Sequence, residues 1–308
     1  LIWARDHAVV ESINKEHRNS KYQSDLILPK HLRATSCLKE PVSDADLIIL
    51  VVASHVMRMI VSQCVEWLKP GAIIVSASKG IENESLMTME EVLSETLPRS
   101  FRGDLAFLSG PSFARETIER QATAVTVAAR FLDVAAEVQQ IMNRSYFRIY
   151  TSEDVTGVEL GGALKNVIAI ASGVADGLGL GHNSRAALIT RGVAEITRLA
   201  VKMGANPLTL SGLAGMGDLI LTCTGGLSRN RRVGVELGKG RSLEEIIGEM
   251  NEVAEGVKTT KSVYDLSLRE QVEMPITHEV YKMLYKCKSP LHTLKDLMGR
   301  DPKSERDY

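Results

Sequence analysis

The 308-residue sequence is poor in cysteine, in aromatic residues and in net charge. Its four cysteines are scattered with no C-x-x-C pair and its seven histidines are dispersed, so the sequence predicts neither a disulfide framework nor a metal site. Unpaired cysteines of this kind are typical of a reduced, cytoplasmic chain. A net charge of −1 argues against a nucleic-acid-binding protein, which would carry a basic bias.

Long hydrophobic runs are also missing. A membrane span needs roughly 20 consecutive apolar residues. Residues 160–181 come nearest to that length, but Lys165 and Asp176 interrupt them. The sequence therefore predicts a protein without a membrane span, and its length favours about two domains with a core each.

Apolar runs and helical patterns alternate up to about residue 150. Strands are predicted at 47–53, 72–78, 105–109, 123–129 and 147–150, and helices at 54–68, 84–97, 112–120 and 132–143. Such alternation predicts a parallel, doubly wound sheet of the Rossmann type in residues 1–152. Residues 153–308 are predicted to be all-helical, apart from the short strand-like run DLILTC at 218–223.

Lys165 stands out because it lies within a segment of glycine, alanine and aliphatic residues, ELGGALKNVIAIASG. A desolvated lysine has a depressed pKa and can accept a proton near neutral pH. The alternative is a lysine that reaches out at a domain boundary, and composition alone does not decide between the two. Asp176, eleven residues on, lies on the same helix face and suggests a polar stripe with Lys165.

Three polar segments directly follow predicted strands: Ser54-His55, Ser78-Lys79-Gly80 and Ser109-Gly110-Pro111-Ser112. Ligands of open parallel sheets bind at the carboxyl ends of the strands, so the ammonium of Lys79 is a candidate group there. A solvated loop lysine is the simpler interpretation. The Gly110 segment allows close approach of a ligand near a helix start, or is only a tight turn.

A second polar group lies at 213–232, LAGMGDLILTCTGGLSRNRR. Asp218 is surrounded by glycine and apolar residues and so needs a cationic partner, and Thr222 shares its face if the segment is helical. Ser228 has the features of a helix N-cap, and with Arg229 and Asn230 it predicts a phosphate or carboxylate site. Arg231 and Arg232 fit a basic surface cluster.

Taken together, these blocks resemble the NAD(P)-dependent glycerol-3-phosphate dehydrogenases in their bacterial form. The matching segments, which span nearly the whole chain, are SASKG, LSGPSFA, GVELGGALKNVIAIASG, NSRAALITRG, GLAGMGDLILTC, LSRNRRVG and VAEGVKT. The resemblance implies hydride transfer between NAD or NADP and the dihydroxyacetone phosphate/glycerol 3-phosphate pair, feeding phospholipid synthesis. The resemblance is also compatible with a homodimer.

The resemblance also implies residue roles. Lys165 is expected to be the general base, with Lys79, Asp218 and Asn166 completing the catalytic group. Expected substrate contacts are Lys79, Gly110, Ser112, Lys165, Asp218, Thr222, Ser228, Arg229 and Asn230. Expected cofactor contacts are Arg5, Lys79, Ala114, Arg229, Val253 and Glu255, with Arg5 placed to meet an adenosine 2′-phosphate.

Two departures from the family pattern matter. Ala53 stands where most members carry proline before Ser54, and the G-x-G-x-x-G loop, expected about 20–25 residues before Arg5, is absent. The sequence therefore predicts a chain truncated at its start, with an open strand position between residues 1–3 and 46–53. Two alternatives remain: a related hydroxyacid dehydrogenase, and a catalytically weak paralogue that senses a phosphometabolite.

Overall fold

The computed structural model describes residues 1–22, 24–250, 254–302 and 304–305. Two sheets form the first half. The strands are β1 Ile2–Trp3, β2 Ala34–Thr35, β3 Leu47–Leu50, β4 Ile73–Ser76, β5 Leu105–Ser109, β6 Thr123–Ala129 and β7 Phe147–Ser152. The helices among them are α1 His7–Glu16, α2 Met57–Cys64, α3 Met89–Thr96, α4 Ala114–Ile118 and α5 Leu132–Met142.

Helices cover both faces of the main sheet, whose order is β3-β4-β5-β6-β7. Met57 and Val61 of α2 and Leu93 of α3 pack with one face, whereas Ala135 and Val138 of α5 pack with the other. Strands of this kind are buried on both sides, which explains their continuous aliphatic runs. The predicted Rossmann-like α/β class for this half is confirmed.

One strand direction differs from the prediction of a parallel sheet. β6 runs antiparallel to β5, with Phe107 opposite Ala128, whereas β7 is parallel to β6. The connection from β5 to β6 holds only the five-residue α4, so the chain re-enters the sheet from the edge at which it left. The eleven-residue α5 carries the chain back across the sheet and restores the parallel direction for β7.

The first two strands form a sheet of their own. Ile2 pairs with Ala34 and Trp3 with Thr35, while β3 pairs with β4. The sequence predicts an open strand position between β1 and β3, and within the described ranges no ladder joins these two strands. Ile49 and Val51 are accordingly 46% and 72% exposed.

The second half is helical, as predicted. Its helices are α6 Val155–Gly177, α7 His182–Lys202, α8 Pro207–Leu210, α9 Asp218–Thr224, α10 Arg229–Gly238, α11 Leu243–Gly248, α12 Glu255–Arg269, α13 Pro275–Lys286 and α14 Pro290–Met298. The strand-like run 218–223 is wrong as a strand, because it forms α9. A short apolar run fits a buried helix as well as a strand, and here a π-helical turn at Leu213–Gly217 leads directly into the helix.

The core of this half is built around α6. Two glycine positions let α10 pack backbone to backbone against it: a Cβ at Gly173 would lie 2.0 Å from the Arg231 carbonyl oxygen, and one at Gly234 would lie 2.0 Å from that of Ile170. By length and composition α6 passes as a membrane span, as does the bent pair Pro207–Thr224 with Arg229–Gly238. The apolar window of α6 is 94% buried inside the protein, which is typical of a core helix.

Candidate active site

The buried lysine of the long core helix faces the sheet domain. Lys165 of α6 is only 6% exposed. It pairs with Asp218, which also pairs with Lys79, so Lys165 lies close to the carboxyl ends of β4 and β5. Glycine at 161 and 162 allows this approach: a Cβ at Gly161 would lie 2.6 Å from the Ala214 carbonyl oxygen, and one at Gly162 would lie 2.5 Å from the Ser109 hydroxyl. The glycines before Lys165 therefore let α6 pack closely against the segments that contain Ala214 and Ser109.

Asp218 joins the two lysines. Lys165 Nζ donates to Asp218 Oδ1, and Lys79 Nζ donates to Asp218 Oδ2 at 2.6 Å and to the Gly110 carbonyl oxygen at 3.3 Å. Asp218 is 1% exposed, so its carboxylate is stabilised by these two ammonium groups rather than by water. Residues from three separate parts of the chain, 79, 165 and 218, thus form one Lys-Asp-Lys cluster.

The electrostatics of this cluster suit proton transfer near neutral pH. Burial and, after it, the charge of Lys79 lower the pKa of Lys165, while Asp218 acts in the opposite direction; the net pKa is about 7. For Asp218, burial alone would raise the pKa, but the ammonium groups of Lys79 and Lys165 outweigh burial and hold the pKa below its usual value. Lys165 can therefore take up and release a proton while Asp218 stays ionised.

Local structure fixes the orientation of Asp218. It is the first residue of α9 and follows the π-helical turn. Thr222, one turn on, donates its hydroxyl to the Asp218 backbone carbonyl at 2.6 Å, with its Oγ1 3.5 Å from Asp218 Oδ1. Thr222 lies beside the carboxylate, as predicted for a helical segment.

A chain of side-chain amides connects three helices next to the cluster. Asn230 of α10 donates to Asn166 Oδ1 at 2.9 Å and accepts the Gly256 N–H of α12 at 2.9 Å. Both asparagines are nearly fully buried, at 5% and 8% exposure for Asn166 and Asn230. These contacts give the pair a part in positioning α10 and α12 beside Lys165.

The start of α10 carries the predicted anion-binding residues. Ser228 caps the helix by accepting the Arg231 N–H at 3.2 Å, and Arg229 is the first helical residue and is exposed. Burial raises the pKa of Glu255, the first residue of α12, while the charges of Arg229, Lys79 and Lys165 lower it. Glu255 is therefore within electrostatic range of Arg229 and of both lysines of the Lys-Asp-Lys cluster.

Most of the remaining predicted residues lie in loops or at a helix start of the first half. Gly110 is buried with φ +143°, a region that favours glycine, and Ser112 donates to its carbonyl at 3.0 Å. Ala114 is the exposed first residue of α4, so this helix begins later than the predicted residue 112. Arg5 is exposed between β1 and α1. Val253 lies outside the described residues.

Asp176 and Arg231 have partners that the sequence does not predict. Asp176 lies on α6 with Lys165, accepts from Arg185 Nε at 3.0 Å and pairs with Arg231 at 2.7 Å. Arg231 therefore belongs to a partly buried ion pair that joins α6, α7 and α10, not to a basic surface cluster. Arg232 is exposed.

Two polar residues that sequence reasoning missed, Glu159 and Ser76, lie with Ser109 around a small cavity beside Lys79. Glu159 accepts the Glu90 N–H at 3.1 Å, and the buried hydroxyl groups of Ser76 and Ser109 have no hydrogen-bond partner within the described part of the chain. The only sequence signal for Glu159 is its spacing of six residues before Lys165 in an apolar helix. The serines end strands, where a polar residue is ordinary.

The fold and the cluster define a class of protein. A doubly wound α/β unit delivers a lysine from its carboxyl edge to a buried lysine and aspartate on a helical domain, which is the plan of a nicotinamide-dependent dehydrogenase. Residues 1–135 match the family profile described as "NAD-dependent glycerol-3-phosphate dehydrogenase N-terminus", and residues 154–295 match the one described as its C-terminus. The chain belongs to the NAD-dependent glycerol-3-phosphate dehydrogenase family.

Individual relatives agree with this assignment. The chain is 54% identical to glycerol-3-phosphate dehydrogenase (NAD(P)+) of Myxococcus xanthus over 99% of its length and 91% of the relative's. It is 53% identical to the enzyme of that name from Leptospira biflexa, with the same coverage. The crystal structure of glycerol-3-phosphate dehydrogenase from Coxiella burnetii superposes with a TM-score of 0.91 at 34% identity, covering 97% of this chain and 90% of that one.

Proposed function

We propose that this protein interconverts sn-glycerol 3-phosphate and dihydroxyacetone phosphate with NAD(P), and that Lys165 exchanges the hydroxyl proton. One observation carries the proposal: the Lys165 amine is buried beside Lys79, with Asp218 holding both, and burial together with the charge of Lys79 brings the pKa of Lys165 to about 7. Oxidation of a secondary alcohol needs a base for the O–H proton, and a base is most effective when its pKa lies near the working pH. In the reverse direction the Lys165 ammonium donates that proton to the ketone oxygen.

Lys79 and Asp218 have distinct parts in this mechanism. Asp218 holds both amines in place, and the positive charge of Lys79 favours the neutral form of Lys165. Lys79 also lies at the carboxyl end of β4, so its ammonium is placed to stabilise negative charge on the substrate oxygen. Asn166, through Asn230, keeps α6, α10 and α12 in register around the substrate.

The substrate phosphate is assigned to the start of α10. The first N–H groups of a helix and a charged arginine together form a strong anion site. Ser228 and Arg229 are at this position, and Arg229 is an exposed residue. Thr222, Asn230, Gly110 and Ser112 complete the proposed substrate contacts.

The residues around the cluster also fit a dinucleotide. Lys79 and Arg229 are cationic, as the anionic cofactor requires. Ala114 and Glu255 are the first residues of α4 and α12, and Arg5 lies between β1 and α1. These residues and Val253 are proposed to hold NAD or NADP, with Arg5 facing the adenosine ribose. When bound, the nicotinamide ring supplies the hydride acceptor.

Three broader assignments accompany this proposal. We assign residues 1–152 to the cofactor domain and 153–308 to the helical substrate domain, which agrees with α6 beginning at Val155. The four cysteines are free, in agreement with a reducing, cytoplasmic location. A homodimer is the proposed assembly, and sedimentation equilibrium measures it. The metabolic role implied by the family is supply of glycerol 3-phosphate for phospholipids.

Replacing Arg229 by alanine should mainly raise the KM for dihydroxyacetone phosphate, with a smaller effect on kcat. A charge-assisted hydrogen bond to phosphate contributes roughly 1.5–3 kcal/mol, or about ten- to over a hundredfold in affinity. Steady-state kinetics with substrate and cofactor varied separately measure the change. Arg232→Ala, an exposed arginine on the same helix, is the control. Unchanged kinetics for both ligands in Arg229→Ala would remove this residue from the site.

A further inference from the structure

Glu159 lies on α6, less than two turns before the catalytic lysine. It precedes Lys165 by six residues, so the two side chains leave the helix about 120° apart, with Gly162 between them. Glu159 also lines two cavities, a small one shared with Lys79 and a large one on its other side. Its carboxyl group therefore stands between the Lys-Asp-Lys cluster and a second opening.

The small cavity has the size of a water molecule, and its mostly apolar wall carries a few polar groups. It offers about 10 Å³ for the centre of a water, and its polar lining includes Ser76, Lys79, Ser109 and Glu159. The buried hydroxyl groups of Ser76 and Ser109 have no hydrogen-bond partner among the described residues. Buried polar groups are normally satisfied, so a water in this cavity bridging the two serines is the expected arrangement.

The large cavity opens on the far side of Glu159. It has about 490 Å³ and lies between the amino-terminal end of β5, the start of α3 and the start of α6. Exposed residues line it, including Arg102, Arg130 and Glu153. A proton that reaches Glu159 from the small cavity is therefore next to solvent.

The surroundings of Glu159 favour a group that changes its protonation state. Its net pKa is raised to about 8: burial raises it most, the hydrogen bonds from the Glu90 N–H and the Thr88 side chain lower it, and the charges of Glu90 and Glu91 raise it. Its remaining charged neighbours around the two cavities are Lys79, Arg102, Arg130, Glu153 and Asp154. This carboxyl can hold or release a proton in the range where Lys165 does.

We propose that Glu159, with a water held by Ser76 and Ser109, carries the reaction proton between the active-site lysines and the solvent of the large cavity. The inference rests on the proposed function. Lys165 is 6% exposed, so a proton taken from the alcohol must leave through its neighbours. During oxidation the Lys79 ammonium gives one proton through the water to the Glu159 carboxylate, and the neutral Lys79 amine then takes, through the Asp218 carboxylate, the proton that Lys165 has accepted from the alcohol. Glu159 releases its proton to solvent, so each group returns to its starting state. Reduction of the ketone runs the same steps backwards.

Glu159→Gln tests this role while keeping an acceptor for the Glu90 N–H. In glycerol 3-phosphate oxidation at pH 7 its kcat should fall by about ten- to a hundredfold, at or below the low end of what a positioned proton-transfer group contributes. KM should stay unchanged, and added imidazole should restore kcat in proportion to its concentration. Ser109→Ala, which removes one ligand of the water, should show the same pattern more weakly. Glu153→Gln, an acid that lines the same large cavity, should behave like the wild type.

The outcomes separate the relay from the proposed function. If the wild type turns over, Lys165→Met does not, and Glu159→Gln keeps a wild-type kcat at every pH, the relay is wrong and the proposed function stands. A loss of kcat in Glu159→Gln that imidazole does not restore also overturns the relay, since it points to a structural role. If Lys165→Met itself retains turnover, the proposed function fails whatever Glu159→Gln does.

Discussion

Replacing Lys165 by methionine should reduce kcat by about two to four decades in both directions, the contribution typical of a positioned general acid or base. Methionine has a similar length and no charge, so the side chain still fills the space within the buried part of α6. Asp218 keeps Lys79 as its partner at 2.6 Å, so no carboxylate is left without a cation. The variant should therefore fold and bind NAD(P)H nearly as the wild type does.

Stopped-flow kinetics measure the rate of hydride transfer, and NADH fluorescence titration measures cofactor binding. Lys202→Met, an exposed lysine in the last turn of α7, makes the same chemical change away from the site and should leave both values unchanged. Turnover within a few-fold of the wild type in Lys165→Met would contradict the assignment of Lys165 as the base.

Asp218→Asn should have a large effect on stability as well as on activity. It leaves two neighbouring amines without their shared counter-ion, of which Lys79 is charged at neutral pH, and breaking a buried ion pair by removing one partner costs about 3–5 kcal/mol in the free energy of unfolding. Since Asp218 raises the pKa of Lys165, its loss should also lower that pKa below about 7 and shift the pH dependence of oxidation downwards. The misdirected amine should reduce kcat as well.

The sign of the pH effect follows from the direction of the Asp218 shift. Its pKa is depressed in the folded protein, so its contribution to stability is present at neutral pH and is lost as the pH falls through that depressed value. The stability difference between wild type and Asp218→Asn, measured by urea unfolding, should therefore shrink in acid. Asp265→Asn, which breaks the exposed pair with Lys261, should cost at most about 1 kcal/mol. Equal stability of wild type and Asp218→Asn at pH 7 would contradict the counter-ion role.

The sequence predicts some features of this site because their causes are local. An ammonium inside an aliphatic helix marks Lys165, and a serine after two glycines marks the cap at Ser228. The direction of β6 could not be predicted in this way, because it depends on how far the short α4 carries the chain rather than on the strand's own residues. The run 218–223 is ambiguous by composition, and its tertiary surroundings make it a helix.

Partners that come from distant parts of the chain are the hardest to predict. Asp176 pairs with Arg231, 55 residues away, and Lys79 meets Asp218 across 139 residues. The family resemblance placed Lys79 and Asp218 in one site without pairing them, and it gave no partner for Asp176. Glu159 has the appearance of an ordinary acid in the first turns of a helix, and only the cavities on either side of it distinguish it.

The pH dependence of kcat/KM in the two reaction directions tests the central claim, that Lys165 exchanges the proton with a pKa near 7. The neutral amine is needed for oxidation and the ammonium for reduction, so kcat/KM should rise through about pH 7 for glycerol 3-phosphate and fall through the same pH for dihydroxyacetone phosphate. Ionisation of the phosphate, which both substrates carry, would shift the two profiles in the same sense. Opposite limbs with a shared midpoint near pH 7 are the predicted result; profiles that change in the same sense, or a midpoint near the ordinary lysine value of about 10.4, would contradict it.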